Sequence, residues 1–413
     1  MNTFLLLILA GLSTVYAECN TEENDSLDPN WDSILKSFEL GNMEFGLELF
    51  RNLNSDLIND TTNLFYSPLS IWSALSSLYI GARGQTAKEL ETVLGLDFTQ
   101  KFFLPKLFDK FLELCQQCGD NENSSFKMAN RIYMDKNIEL KLCEDIIINI
   151  VRRTDFLENP GESSSEINEW VEEKTNGKIR NLIPASAVNS ATQMIVVNAI
   201  YFKEHWKTQF NPEMTRISRF YMNRDTVYRV EMMNTHGTFI YGVSDDMKCQ
   251  ALEIPYSGDE LSMLILLPQH PYNGFSHLAK TITGNRLKNL ISSMSHRELW
   301  VTIPKFKVEE EFELSNILQK MGLRNVFNPV FADFSGFTGD KALSVDAVYH
   351  KSYIKVNEEG TEAAVATSVL LSRVARPSGI TRFVADRPFL YLIRHVQSNV
   401  ILFMGTVKSP KYQ

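Results

Sequence analysis

Apolar residues return at helical spacing through Met43–Leu53, where Phe45, Leu49 and Leu53 fall on one face and predict an amphipathic helix. Ser67 followed by Pro68 opens a second helical pattern over Ile71–Gly81, because a hydroxyl accepts an orphan backbone N–H and proline suits the first helical position. Gly84-Gln85-Thr86 leads into a third over Ala87–Leu94, which Gly95 stops, and Ile167–Thr175 is a fourth that ends near Gly177. From Met194 the pattern changes. Ile195–Phe202 is a nearly continuous apolar run, as expected of a strand buried on both faces. Leu261–Pro268 and Trp300–Pro304 read as further strands closed by proline, and Phe389–Ile393 with Val400–Val407 as two strands across a polar turn. Helices first and strands later, with no internal repeat, predict an α+β fold.

One segment fits neither pattern well. Across Glu358, Glu359, Gly360, Thr361, Glu362, Ala363, Ala364, Val365, Ala366 and Thr367, alternate positions carry the small or uncharged side chains Thr361, Ala363, Val365 and Thr367. The charge of Glu362 falls on the opposite face of a strand with a two-residue period. This is a strand without a large apolar anchor, and its Glu and Ala content leaves a short surface helix as the alternative. The following run, Ser372–Gly379, holds Arg373, Arg376, Pro377 and Gly379, which discourage regular structure and offer a protease a substrate.

The chain has 413 residues, yet no linker or composition break divides it after Glu39, which implies one large domain over 39–413. Phe4–Leu12 is apolar but too short to span a bilayer, and Val15-Tyr16-Ala17 suits signal peptidase, so 1–17 reads as a signal peptide and 18–38 as an acidic extension. No Lys or Arg precedes that apolar run, and no later stretch is long enough for a membrane helix. A secreted protein that neither spans nor binds a membrane is expected. Asn24, Asn59 and Asn123 each head an Asn-x-Ser/Thr acceptor triplet. Five cysteines are too few for a disulfide scaffold in a chain of this length. A tether from Cys19 to Cys115 or Cys118 is the favoured pairing, and the odd count leaves a thiol free or paired to another molecule.

The net charge of −9, spread without long blocks, excludes nucleic acid as a natural partner. Arg152-Arg153 and the lysines at 101, 106 and 110 are local candidates for a polyanion such as heparin, although Asp109 and Glu113 dilute the second group. Catalytic and metal signatures are missing: no Gly-x-Ser-x-Gly elbow, His-Glu-x-x-His, Walker loop or dinucleotide fingerprint occurs. Cys115-x-x-Cys118 lacks a second pair, and the seven histidines show no ligand spacing, so no metal and no cofactor are expected. His350 near Asp346 invites a triad, but a lone histidine beside a strand is more often a hydrogen-bonded core residue. The chain is not expected to be an enzyme.

Together the motifs form a family pattern. Asn63–Ile71, Val197–Lys203 with Trp206 and Phe210, Leu252–Tyr256, Pro304-Lys305-Phe306, Glu358–Thr367, and Asp386–Phe389 with Phe403-Met404-Gly405 resemble the serpins in order and spacing, from Glu39 to Pro410. The resemblance implies a monomer with three β-sheets, eight or nine helices and an exposed reactive-centre loop over about 358–382. It also implies a suicide-substrate mechanism, in which a cleaved, acylated loop inserts into the central sheet and distorts the protease. Such an insertion adds a strand to an existing sheet and releases strain stored in the uncut chain. At about 1 kcal/mol net per hydrogen bond, some ten new residues in the sheet would supply roughly 10 kcal/mol.

The hinge Glu358–Thr367 contains nothing to block that movement: Gly360 is a flexible pivot, Thr361 enters first and is uncharged, and Val365 is the bulkiest member. The same resemblance assigns Ser67, Ser70, Asn198 and His350 to a polar cluster that opens with the sheet, and Trp206 to the point where the hinge arrives. The family's spacing puts the reactive bond between Val374 and Ala375, which suits an elastase-like protease; the alternative, Arg373 before Val374, suits a trypsin-like one. A non-inhibitory serpin, a carrier or storage protein, is the alternative function.

Overall fold

The computed structural model describes residues 31–55, 61–96, 104, 125–141, 150–339, 343–361 and 380–411. Helix α1 (Trp31–Ser55) already begins inside the segment read as an acidic extension. Phe38 is buried with its ring edge-on to Trp72 at 4.9 Å, so apolar packing ties the last part of that extension to the domain. Helix α2 (Pro68–Gly81) starts where Ser67 Oγ accepts the Ser70 N–H, and helix α3 (Gly84–Leu94) stops at Gly95, whose φ of 65° is the left-handed conformation glycine tolerates. Helix α4 (Pro160–Lys174) covers the part of the sheet remote from these. Helices α5 (Gly274–Thr281), α6 (Gly284–Ser293), α7 (Ser315–Met321) and α8 (Ser335–Thr338) complete eight among the described residues.

Fifteen strands among the described residues form two hydrogen-bonded groups. The six-stranded sheet contains β2 (Ser125–Asp135), β3 (Val151–Thr154), β4 (Met194–His205), β10 (Phe306–Glu313), β11 (Ala347–Val356) and β12 (Gly360–Thr361). Its order is β10-β11-β12-β4-β2-β3, and β11 also pairs directly with β4. The nine-stranded group holds β1 (Leu64–Tyr66), β5 (Arg216–Tyr221), β6 (Val227–Ser244), β7 (Cys249–Pro255), β8 (Leu261–Pro268), β9 (Ser295–Pro304), β13 (Thr381–Val384), β14 (Phe389–His395) and β15 (Ile401–Val407). The expected second and third sheets are joined here because β6 is 18 residues long: its first part pairs with β5, its middle with β9 and its last part with β7.

The apolar run of β4 is explained by burial on both sides. Val196, Ile200 and Phe202 enter the main core, whereas Ile195, Val197 and Ala199 pack in a smaller core with Ile167 and Val171 of α4. In the main core the Phe403 ring lies 5.2 Å from Phe65 and 5.4 Å from Phe202, bringing together rings from β15, β1 and β4. Truncating a ring held between both sheets leaves a cavity that neither can close. Phe403→Ala is therefore expected to lower unfolding stability by about 3–5 kcal/mol, read as a lower denaturant midpoint at unchanged slope.

Candidate functional site: the junction of β4 and β11

Strands β4 and β11 of the six-stranded sheet run parallel and pair from Ala347↔Ile195 to Tyr353↔Tyr201. Beyond that point they part, and β12 occupies the gap. Thr361 pairs with Val356 on one side and Glu204 on the other, and Gly360 pairs with His205. A tight turn makes this reversal: the Asn357 N–H donates to Gly360 O at 2.9 Å, and Asn357 Oδ1 accepts the N–H groups of Glu359 and Gly360 at 3.1 and 3.2 Å.

The turn is fixed to the end of β4. Trp206 N–H donates to Glu359 O at 2.9 Å, its indole Nε1–H to Asn357 O at 2.9 Å, and Phe210 N–H to Glu358 O at 2.8 Å. The Trp206 ring stacks on Tyr256 at 4.6 Å, and the Tyr256 hydroxyl bonds the Thr361 hydroxyl at 2.9 Å. Glu358 is buried, with Oε1 accepting from Thr215 Oγ1 at 2.6 Å and lying 2.9 Å from Lys305 Nζ. Burial alone would raise the Glu358 carboxyl; the bonds from Thr215 and Lys305 outweigh it and hold it below its ordinary value.

Two expectations change here. The loop does not start at Glu358 as an exposed segment, because Glu358 is buried in the turn and Gly360 and Thr361 in the sheet, and at its other end Thr381 and Arg382 belong to β13. Gly360 is also no free pivot: a Cβ there would collide with the Glu204 carbonyl, so close backbone approach is what demands glycine. Glu362, Ala363, Ala364, Val365, Ala366 and Thr367 of the hinge, and Arg373, Val374 and Ala375, lie outside the described residues. So do Asn24, Asn59, Asn123, Cys19, Cys115 and Cys118, while Cys249 is a buried free thiol whose pKa burial pushes up to about 12.

Lower in the same junction the register aligns three polar side chains across three strands. Asn198 of β4 faces Asn130 of β2 and His350 of β11. Helix α2 sets its capping residues on this row. Ser67 N–H donates to His350 Nε2 at 3.2 Å, which places the imidazole proton on Nδ1, where it is donated to Asn198 Oδ1. Asn198 Nδ2 donates to Ser70 Oγ at 2.5 Å and to Asn130 Oδ1, and Ser70 Oγ donates to Asn130 Oδ1 at 3.0 Å. Ser67 Oγ reaches Leu402 O of β15 at 2.5 Å, linking the row to the nine-stranded group. Ser67, Ser70, Asn198 and His350 thus come together. Trp206 does not join them, since it lies eight residues further along the chain of β4, about 26 Å at strand rise. Asn130 is a member that sequence reasoning missed, because an isolated asparagine in a strand carries no signal.

His350 is fully buried and burial lowers its pKa to about 3, so it is a neutral hydrogen-bonding residue. It does not pair with Asp346, whose Oδ2 instead accepts the N–H groups of Gln193 and Met194 at 2.7 and 2.9 Å. Among the described residues no group of three or more His, Cys, Asp or Glu is placed to hold a metal ion, and no helix is long and apolar enough to cross a membrane. The polyanion candidates Arg152 and Arg153 are exposed, with Arg152 Nε 3.2 Å from Glu166 and Arg153 donating to the carbonyls of Lys136 and Ile138.

Comparison with known proteins gives one consistent result. The family described as Serpin (serine protease inhibitor) matches residues 40–410. Leukocyte elastase inhibitor of Bos taurus is 36% identical over 386 residues, covering 91% of this chain and all of that protein. Serpin B4 of Homo sapiens is 35% identical over 395 residues, with 91% of this chain and all of the relative covered. Among solved structures, uncleaved ovalbumin superposes with a TM-score of 0.79 at 28% identity, over 90% of this chain and all of that one.

The buried imidazole gives a signed pH dependence. Its folded pKa of about 3 lies below the unfolded value of about 6.5, so below pH 6.5 the unfolded chain binds the extra proton and stability falls as pH drops toward 3. His350→Gln keeps one donor and one acceptor without a proton to gain. Urea titrations should show wild type losing on the order of a few kcal/mol more than this variant between about pH 6.5 and 4. Parallel pH profiles would overturn the assignment of this slope to His350.

Proposed function

Since the chain belongs to the serpin family, described as serine protease inhibitors, we propose that it is a secreted suicide-substrate inhibitor of a serine protease. The observation that carries this reading is β12: the first hinge residues already lie as a strand between β4 and β11, with only glycine and threonine side chains to accommodate.

The protease serine attacks the carbonyl carbon of the residue before the reactive bond. The C–N bond breaks, the new amine leaves with a proton, and an ester joins enzyme and inhibitor. The freed segment from Glu362 onward then extends β12 by replacing the direct β4–β11 hydrogen bonds with two new ladders, carrying the bound protease with it. Val374–Ala375 is the proposed bond, in keeping with a relative named leukocyte elastase inhibitor; cleavage after Arg373 is the second reading, and would select a trypsin-like enzyme.

Incubation with pancreatic elastase or trypsin should give a complex that survives a denaturing gel, and a released peptide beginning at Ala375, or at Val374 in the second reading. Thr361→Arg, placing a cation under the Tyr256 hydroxyl, should convert most of the product to cleaved inhibitor without complex. Wild type nicked by a protease it fails to trap should melt more than about 10 °C higher than the intact chain. Simple nicking by every enzyme without a rise in melting temperature would refute the inhibitory reading and leave the carrier or storage alternative.

Export rests on the leader Phe4–Leu12 and the small residue Ala17 ahead of Glu18, with Asn24, Asn59 and Asn123 as the glycan acceptors. Expression in animal cells should yield medium protein beginning at Glu18 that loses mass on glycosidase treatment. Protein retained in the cells with residues 1–17 intact would refute export.

A further inference from the structure

The β5–β6 hairpin presents a face that the mechanism above does not use. Register sets Ile217 opposite Glu231, Arg219 opposite Arg229 and Tyr221 opposite Val227, so these six share one side. Ile217 and Val227 are 65% and 45% exposed, high values for side chains that gain nothing from water. Between them two guanidinium groups stand directly across the ladder, a like-charge arrangement that disfavours the hairpin. The neighbouring carboxylates do not neutralise them. Glu231 lies 3.6 Å from Lys305, and Asp386 lies 2.7 Å from Arg387. Among the described residues neither Arg219 nor Arg229 has an ion-pair partner, and both line a cavity of about 550 Å³ with Ile217, Tyr221, Val384 and Asp386.

The position of this cavity limits what can fill it. Tyr221 N–H donates to Asp386 O at 2.7 Å, so the hairpin is fastened to the chain directly after β13. Strand β13 begins at Thr381, six residues past Ala375, a span of at most about 20 Å. A protease domain of about 230 residues has a radius of gyration of about 17 Å, so an enzyme bound at the reactive bond is within reach of this flank. Arginine and tyrosine beside exposed aliphatic residues are also the side chains that dominate protein interfaces.

We propose that the β5–β6 hairpin is a second docking site for the attacked protease, in which Arg219 and Arg229 receive an acidic side chain from the enzyme surface while Ile217 and Val227 pack against its apolar surroundings. The proposal rests on the inhibitory reading. The hairpin raises the rate of encounter and plays no part in acylation or insertion.

Association rate constants separate these roles. Arg219→Glu/Arg229→Glu and wild type are compared against pancreatic elastase, trypsin and chymotrypsin, at about 0.05 and about 0.5 M salt. For the protease trapped fastest by wild type, the double variant should associate about tenfold more slowly at low salt, with the gap closing at high salt and the yield of covalent complex per inhibitor unchanged. The single variant Arg229→Glu pairs with Arg219, so its melting temperature should equal or exceed that of wild type, which excludes misfolding as the cause of a slower rate. Rates within about twofold for every trapped protease overturn the docking site while leaving inhibition intact. Acceleration of wild type by heparin that is lost in the double variant, with no difference in its absence, also overturns it and assigns the arginines to a polyanion. If wild type traps none of the three, the inhibitory reading fails and this proposal with it.

Discussion

The parallel pairing of β4 with β11 is the interaction on which the rest of this molecule depends. It is a ladder of short length, seven register pairs from Ala347 to Tyr353, and at its upper end a two-residue strand is already lodged between the partners. A sheet interior normally leaves no room for another strand, since each N–H and C=O is committed to its neighbour. Here the commitments could be exchanged for equivalent ones to a third strand, and the count of backbone hydrogen bonds would rise. The closed pairing is therefore a local optimum whose backbone chemistry favours the alternative.

The polar row beneath it would make such an exchange two-state. Asn130, Asn198 and His350 satisfy one another only while β2, β4 and β11 are in contact, and the capping hydroxyls of Ser67 and Ser70 are shared with the same row. A partial separation would leave buried donors and acceptors without partners, each at about 1–3 kcal/mol, so intermediate positions are disfavoured relative to both ends. The neutral imidazole matters for the same reason: it needs to accept from Ser67 and donate to Asn198 at once, which only one tautomer does.

The sequence showed those parts of this design that repeat along the chain. The unbroken apolar run of β4, the Ser67-Pro68 helix start and the Gly95 stop follow from local rules, and each lies where the pattern puts it. Strands β5 and β6 escaped such a reading, because their exposed hairpin face mixes Ile217, Arg219, Val227 and Arg229 without a clean alternation. The contacts that hold the hinge were hidden for a different reason. Glu358 meets Thr215 across 143 positions, and Tyr256 meets Thr361 across 105, so only the folded sheet brings them together. The family pattern supplied Ser67, Ser70, Asn198 and His350 as a group and set Trp206 apart at the hinge, where its indole N–H donates to Asn357 O.

On the proposed mechanism, the two ends of the loop would hold an intact chain in the closed state. Before it, Gly360–Thr361 belongs to the six-stranded sheet; after it, Thr381–Val384 pairs with β9 in the nine-stranded group. Full extension of β12 would draw the chain down between β4 and β11, and the covalent connection to β13 opposes this as long as that strand keeps its place. Phe383 is fully buried and Ala385 N–H donates to Thr302 O at 2.9 Å, so the anchor on that side is packed as well as hydrogen-bonded. Cutting a bond between the two anchors removes that covalent opposition. In the proposed mechanism the peptide bond itself is the latch, and the energy released afterwards would come from hydrogen bonds that the uncut chain has no means of reaching.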